Sequence, residues 1–169
     1  ISGTPSAAGT ITSSISASNS FGTDTKTLVI TVGSGGGGDT NLALNQLATA
    51  SSFQAGNLVA NANDASTTSR WAAVDGTFPQ WWRVDLGANK VLSRVDIMWL
   101  NPTSRAYKYK LEVSTDDTNY STAFDNTGNT TIGNSSDAIS ATARYVRVTV
   151  TGSTTGGFAS FYDIQVLGH

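Results

Sequence analysis

Alternation of apolar and polar residues with a period of two runs through the second half of the chain and predicts β-strands. Five segments alternate in this way, and their apolar phases are Trp82/Val84/Leu86, Val95/Ile97/Trp99, Tyr109/Leu111/Val113, Val146/Val148/Val150 and Tyr162/Ile164/Val166. No window keeps the apolar stripe of a helix over three turns. The pattern predicts an all-β fold, an antiparallel β-sandwich. Its core is expected to hold the four tryptophans, Trp71, Trp81, Trp82 and Trp99.

The first part of the chain carries a separate strand signal. Residues 9–19 and 25–32 are predicted strands, joined by a turn at residues 21–24, and Leu28, Ile30 and Val32 form an apolar row in the second strand. Glycine dominates residues 33–38, which is typical of a flexible connector. We therefore divide the chain into a segment 1–33, a linker 34–38 and a domain 39–169.

Two strands alone cannot bury an apolar row. Another surface must therefore bury the apolar row of Leu28, Ile30 and Val32. It is either the sandwich of the same chain or the open sheet edge of another chain, to which the segment adds as a strand. The linker is long enough for the segment to leave its own domain, which favours the second alternative. The sequence thus predicts self-association through residues 1–33.

Composition and charge exclude several functions. The 169 residues have a net charge of −2 and no run of Lys or Arg, which argues against nucleic-acid binding. There is no cysteine, and the single histidine is His169, which removes thiol chemistry and most catalytic triads. No apolar stretch is long enough to insert into a membrane. The chain starts at Ile1 without Met, and we expect it to be a piece of a larger secreted protein.

A series of ordered motifs resembles the discoidin, or coagulation factor V/VIII type C, domain. They include Ser69-Arg-Trp71, Pro79-Gln-Trp-Trp-Arg-Val-Asp-Leu-Gly87, Tyr107-Lys-Tyr-Lys-Leu-Glu-Val113, Ala143-Arg-Tyr-Val-Arg-Val148 and Ser160-Phe-Tyr-Asp-Ile-Gln-Val166. The resemblance spans residues 41–168. In bacteria such domains are commonly family 32 carbohydrate-binding modules, and the resemblance implies a jelly-roll β-sandwich. Residues 1–33 are similar to the last hairpin of a bacterial immunoglobulin-like repeat.

The resemblance also implies a structural calcium ion near residues 64–71. Carried over by position, its ligands are the side chains of Asp64, Ser69 and Asp163 and the backbone carbonyls of Asn61, Ser66, Ser69 and Tyr162. Two carboxylates with several neutral oxygens suit Ca²⁺. Ala65 departs from the family pattern, which has glycine there, and Asp163 replaces the commoner Glu. The alternative is that Asp64 only caps a turn.

In the family, ligands bind on loops at one end of the sandwich. The corresponding residues here are Gln54, Phe78, Asn101, Arg105 and Phe158. Asn101 and Arg105 supply hydrogen-bond donors, and Phe158 follows two glycines that let its ring face outward. The acidic residue that often follows the strand-end tryptophan is here Leu100, and no histidine is present in these loops. The alternative for each of these residues is an ordinary loop position.

Taken together, the sequence predicts a non-catalytic, secreted, calcium-stabilised carbohydrate-binding module. It would tether a multidomain protein to polysaccharide or another glycan. The alternative is a structural or adhesive subunit of an extracellular assembly, in which the N-terminal hairpin pairs with a neighbouring chain. An enzyme is not expected, because no pair of carboxylates or nucleophile–base pair can be assembled.

Overall fold

A computed structural model of the chain describes residues 9–32 and 38–169. The chain divides into two compact units, Ile1–Gly38 and Asp39–His169. Most of the predicted linker falls outside the described residues. Within the described ranges, the structure has no helix that is long and apolar enough to cross a membrane.

The first unit contains an antiparallel hairpin of two 11-residue strands, β1 (Gly9–Asn19) and β2 (Gly22–Val32). The turn is Ser20–Phe21, earlier than predicted, because the Asn19 side chain accepts the Phe21 amide at 2.8 Å and Gly22 adopts a positive φ of 146°. One face of the hairpin carries mostly Ser and Thr, with Val29 among them. The other face carries Ile11, Ile15, Leu28 and Ile30 together with Ser13, Asp24 and Lys26.

The second unit is an antiparallel β-sandwich. Its strands are β3 (Thr40–Asn41), β4 (Ala48–Ala50), β5 (Trp71–Ala72), β6 (Gln80–Trp99), β7 (Tyr107–Ser114), β8 (Ser121–Asn126), β9 (Ser135–Ser153) and β10 (Ser160–Gly168), with a 3-10 turn at Val59–Ala62. The strand order is β3-β10-β6-β9-β7-β8, while β4 pairs with β6 and β5 pairs with β10. The predicted all-β sandwich is confirmed.

Two long strands pass from one layer of the sandwich to the other. The pairing of β6 with β9 is interrupted between Asp85 and Lys90 and again between Leu92 and Arg94, and the buried phase of β6 changes from even to odd positions after Leu92. Gly87, at a positive φ of 79°, lies in this corner. The corner brings both halves of β6 into one core.

The core follows the predicted alternation, with two corrections. Trp71, Trp82 and Trp99 are at most 1% exposed, but Trp81 is only partly buried because it shares its phase with Arg83 and Asp85. In β10 a bulge between Phe161 and Asp163 shifts the phase, so that Phe161 is fully buried while Tyr162 is partly exposed. Phe161 packs against all three buried tryptophans, with ring centroids 5.2 to 5.8 Å apart.

Candidate functional site

Four loops meet at one end of the sandwich, which we call the loop end: residues 51–58, 73–79, 100–106 and 153–159. Loops 51–58 and 73–79 are joined by the Val74 amide, which donates to Ser52 Oγ at 3.1 Å. Loops 100–106 and 153–159 are joined by the Thr154 amide, which donates to the Ala106 carbonyl at 3.0 Å. Loops 73–79 and 153–159 approach so closely that a Cβ at Gly76 would lie 3.4 Å from the Gly157 carbonyl oxygen.

Arg105 is held at the loop end by two hydrogen bonds from its guanidinium. The preceding turn is held by the Asn101 carbonyl, which accepts the Ser104 and Arg105 amides at 3.1 Å. Asn101 itself is exposed and adopts a left-handed φ of 54°. The Arg105 guanidinium donates from Nε to Thr155 Oγ1 and from Nη1 to the Tyr107 hydroxyl, both at 3.1 Å. Both hydrogen bonds fix the orientation of the guanidinium plane.

The hydroxyl that Arg105 contacts belongs to a buried aromatic stack. Tyr107 is 1% exposed, and its ring lies parallel to Trp99 with centroids 4.4 Å apart. Burial raises the pKa of the Tyr107 hydroxyl, and the hydrogen bond from Arg105 opposes that rise. The hydroxyl therefore stays protonated at neutral pH and offers a rigid support for the guanidinium.

The other predicted sugar contacts lie at the same end in different environments. Phe158 is 39% exposed, while Phe78 is half-buried and packs against the core. The Gln54 amide oxygen already accepts a hydrogen bond from Asn57 at 2.9 Å. Phe53, 50% exposed beside Gln54, is an aromatic side chain that the sequence reasoning missed. Its position between polar residues in a strand-free stretch was the signal that could have identified it.

Arg70 is a second residue that the sequence reasoning missed. It donates from Nη1 to Ser160 Oγ at 3.1 Å, and that fully buried hydroxyl in turn donates to the Trp71 carbonyl at 2.6 Å. The positive charge of Arg70 also acts on the Tyr107 hydroxyl. The hydrogen bond to Ser160 therefore holds Arg70 at the start of β10.

The residues suggested for calcium form a loop beside β10. Asp64 accepts the Ser66 amide and the Ser69 hydroxyl, each at 2.8 Å, and Ala65 adopts a left-handed φ of 60°. Asp163, on β10, is 6% exposed, and its Oδ1 is buried without a hydrogen-bond partner among the described residues. Burial raises the pKa of the Asp163 carboxyl, and the negative charge of Asp64 raises it further.

This loop brings together four of the six proposed ligand residues, Asp64, Ser66, Ser69 and Asp163. Asn61 lies in the preceding 3-10 turn, and Tyr162 precedes Asp163 on β10. In the described part of the chain no three His, Cys, Asp or Glu residues cluster as metal ligands. Neutral oxygens would therefore have to complete a calcium shell around the two carboxylates.

Comparison with known proteins shows the family to which this chain belongs. Residues 47–164 match the model of the F5/8 type C domain, and the chain belongs to that family. A chitosan-binding module 1 from a Paenibacillus sp. IK-5 chitosanase/glucanase is 38% identical over 76% of this chain and 99% of its own, with a TM-score of 0.69. Module 2 of the same enzyme, solved with chitotriose, is 31% identical over 75% and 98% of the two chains, with a TM-score of 0.67.

A third similar structure was solved with a different kind of sugar. The CBM32 of AlyQ, solved with 4,5-unsaturated mannuronic acid, is 28% identical over 71% of this chain and 92% of its own, with a TM-score of 0.62. A search of the curated proteins finds no match to this chain. The structural relatives are binding modules, and the prediction of a non-catalytic module is confirmed.

Proposed function

We propose that this chain is a carbohydrate-binding module that binds its glycan at the loop end. The observation that supports the proposal is that the partly exposed Phe158 follows Gly157, where a Cβ would lie 2.7 Å from Nη2 of the immobilised Arg105 guanidinium. An exposed ring can stack on the apolar face of a pyranose, while the fixed donors bind its hydroxyl or carboxyl oxygens. The relatives bind chitotriose and an unsaturated mannuronic acid, which supports the same class of ligand.

The experiment is native affinity electrophoresis in gels that contain one polysaccharide each. The panel consists of soluble chitosan, alginate, polygalacturonate, galactan and hydroxyethyl cellulose. We expect retention in at least one gel and a loss of retention in Phe158→Ala. Leu47→Ala is the matched control, because Leu47 is 73% exposed and lies beside Asp85, away from the loop end. Equal loss in both variants, or retention in no gel, would contradict the proposal.

The module would act in an extracellular protein, where it would hold its parent on polysaccharide. Tethering raises the local concentration of the parent at its substrate without any new contact to the reacting bonds. Such a role requires binding but no catalysis, and it is therefore consistent with a non-catalytic module of this family.

A structural calcium ion is the second part of the proposal. Two observations support a cation in this loop. Oδ1 of Asp163 is buried without a hydrogen-bond partner, and the negative charge of Asp64 lies nearby. Calcium would neutralise both carboxylates, and a ligand that binds only the native state stabilises it by about 2.7 kcal/mol at 100 times Kd. Chelation should therefore lower the melting temperature, and Asp64→Ala should abolish that difference. An unchanged melting temperature after verified removal of metal would contradict this.

The alternative function, assembly through the N-terminal hairpin, has one supporting observation. Ile11, Ile15 and Ile30 are 41 to 60% exposed on the same face. A second copy would suit this face, because every copy carries it and a two-fold contact closes on itself. Light scattering should then show a concentration-dependent dimer that Ile11→Thr/Ile30→Thr abolishes, while Val29→Thr on the opposite face leaves it intact. A chain that stays monomeric at high concentration would exclude this alternative.

A further inference from the structure

We propose that a neutral polysaccharide chain continues from the loop end onto the outer face of β6 and β9, where Trp81 and Arg147 form a second sugar-binding surface. This inference rests on the proposed carbohydrate-binding function and extends its site. Trp81 lies two residues beyond loop 73–79. Its carbonyl oxygen accepts the Ser51 amide at 2.9 Å, and its own amide donates to Ser51 Oγ at 3.0 Å. Because Ser51 belongs to loop 51–58, this surface begins where the loop end stops.

Trp81 differs from the other three tryptophans in being available to a ligand. The others donate their indole N–H groups to oxygen atoms of the protein, and each packs against Phe161. Trp81 is partly exposed, and within residues 9–32 and 38–169 its indole N–H has no acceptor and its ring has no aromatic partner. Such a ring can stack on the apolar face of a pyranose while its N–H binds a hydroxyl group.

Arg147 supplies fixed hydrogen-bond donors beside this ring. Trp81 is opposite Thr149 on β9, and Arg147 is two positions away on the same face, so the Cα atoms of Trp81 and Arg147 are roughly 7–8 Å apart. The guanidinium is immobilised, because Nε donates to Glu112 Oε2 at 3.0 Å and Cζ lies 3.8 Å from the centre of the Tyr120 ring. Among the described residues its two Nη groups have no acceptor, and they are therefore free for a ligand.

The charges of this face are balanced, which favours a neutral ligand. Its three arginines each pair with a carboxylate: Arg83 with Asp117, Arg144 with Asp85 and Arg147 with Glu112. Lys110 contacts the same Glu112 and lies opposite Asp125 on β8. Four cations therefore meet four carboxylates. A charged polymer would have to break these pairs or leave its own charge unpaired, whereas the hydroxyl groups of a neutral hexose chain can bind the free donors.

The test is acrylamide quenching of tryptophan fluorescence in the full chain. The probes are cello-oligosaccharides and β-1,4-galacto-oligosaccharides of two and six residues, which are soluble counterparts of the two neutral polymers in the gel panel. Because the other three tryptophans are at most 1% exposed, the fluorescence that acrylamide reaches should come from Trp81. We expect a hexasaccharide to protect Trp81 from quenching. A disaccharide, which the loop end holds alone, should leave Trp81 accessible.

Affinity should also depend on chain length. We expect the hexasaccharide to bind at least about tenfold more tightly than the disaccharide, because it contacts both surfaces at once. Trp81→Ala and Arg147→Gln should abolish this difference and leave the affinity for the disaccharide unchanged. Phe21→Ala and Arg94→Gln are the matched controls. Phe21 is 97% exposed at the turn of the hairpin, and Arg94 is 49% exposed and pairs with Asp96 on β6.

Four outcomes would overturn the inference. Equal affinities of the wild type for both lengths, or quenching that the hexasaccharide does not change, would leave binding at the loop end intact. An equal loss for both lengths in Trp81→Ala would show general damage, and binding of neither oligosaccharide by a chain that a charged polymer retains would exclude the neutral ligand. Retention in no gel would contradict the proposed function instead. Trp81→Phe keeps the ring without the N–H and should retain part of the difference, so it serves if Trp81→Ala does not fold.

Discussion

Gly157 offers a way to move Arg105 without changing Arg105 itself. At Gly157, φ is +88°, and a Cβ would lie 2.7 Å from Arg105 Nη2 and 3.1 Å from Nη1 and Cζ. Gly157→Ala must therefore displace the guanidinium from Thr155 and Tyr107. Gly156 is a matched control, because φ is +68° and its Cβ would meet nothing within 4 Å.

The two variants separate backbone strain from loss of the arginine position. Alanine in a left-handed conformation costs about 1–2 kcal/mol, so both variants should be destabilised by this amount. Hydrogen bonds to a charged group contribute about 1.5–3 kcal/mol when buried, and partial exposure here brings the further loss in Gly157→Ala to about 1 kcal/mol. Urea unfolding followed by tryptophan fluorescence measures both values.

Binding should discriminate more strongly than stability. We expect Gly157→Ala to lose about tenfold in affinity for the best-retained polysaccharide, which corresponds to about 1.4 kcal/mol. Gly156→Ala should bind within a factor of about two of the wild type. Equal affinities of the two variants would refute the reasoning that Arg105, held against Gly157, is part of the binding surface.

Three further predictions concern stability. Ala65→Gly should raise the free energy of unfolding by about 0.5–1 kcal/mol, because glycine removes the left-handed strain at a smaller entropic cost; thermal melting measures it. Gly168→Ala should lower the free energy of unfolding by about 3 kcal/mol in urea titrations, because the new Cβ would lie 2.1 Å from the Val91 carbonyl oxygen. Gly128→Ala is the control and should leave the free energy of unfolding unchanged, because its Cβ would meet open space. Burial raises the pKa of Asp137, whose carboxylate accepts the Tyr109 hydroxyl at 2.6 Å. Protonation of Asp137 therefore favours the folded state, and this contribution to stability is lost as pH rises through the pKa of the folded protein. As pH rises from 3 to 6, Asp137→Asn should therefore become more stable relative to the wild type. A stability difference between the two proteins that does not change with pH would contradict this.

The β-sandwich could be predicted because period-two alternation records which side chains face the core. The same pattern placed Tyr162 in the core, since a bulge leaves no mark in the alternation. The loop end was predicted residue by residue from a family pattern. Arg70 was missed because its hydrogen bond to the Ser160 hydroxyl depends on the pairing of β5 with β10, which sequence spacing does not reveal.

The central claim is that a glycan binds at the loop end of the sandwich. The most direct test is a titration of the ¹⁵N-labelled chain with a short oligosaccharide of the polymer that retains it, followed by backbone amide chemical shifts. The account predicts that the large shifts cluster in residues 51–58, 73–79, 100–106 and 153–159. Shifts confined to the outer face of β7 and β9, or to the hairpin of β1 and β2, would contradict it.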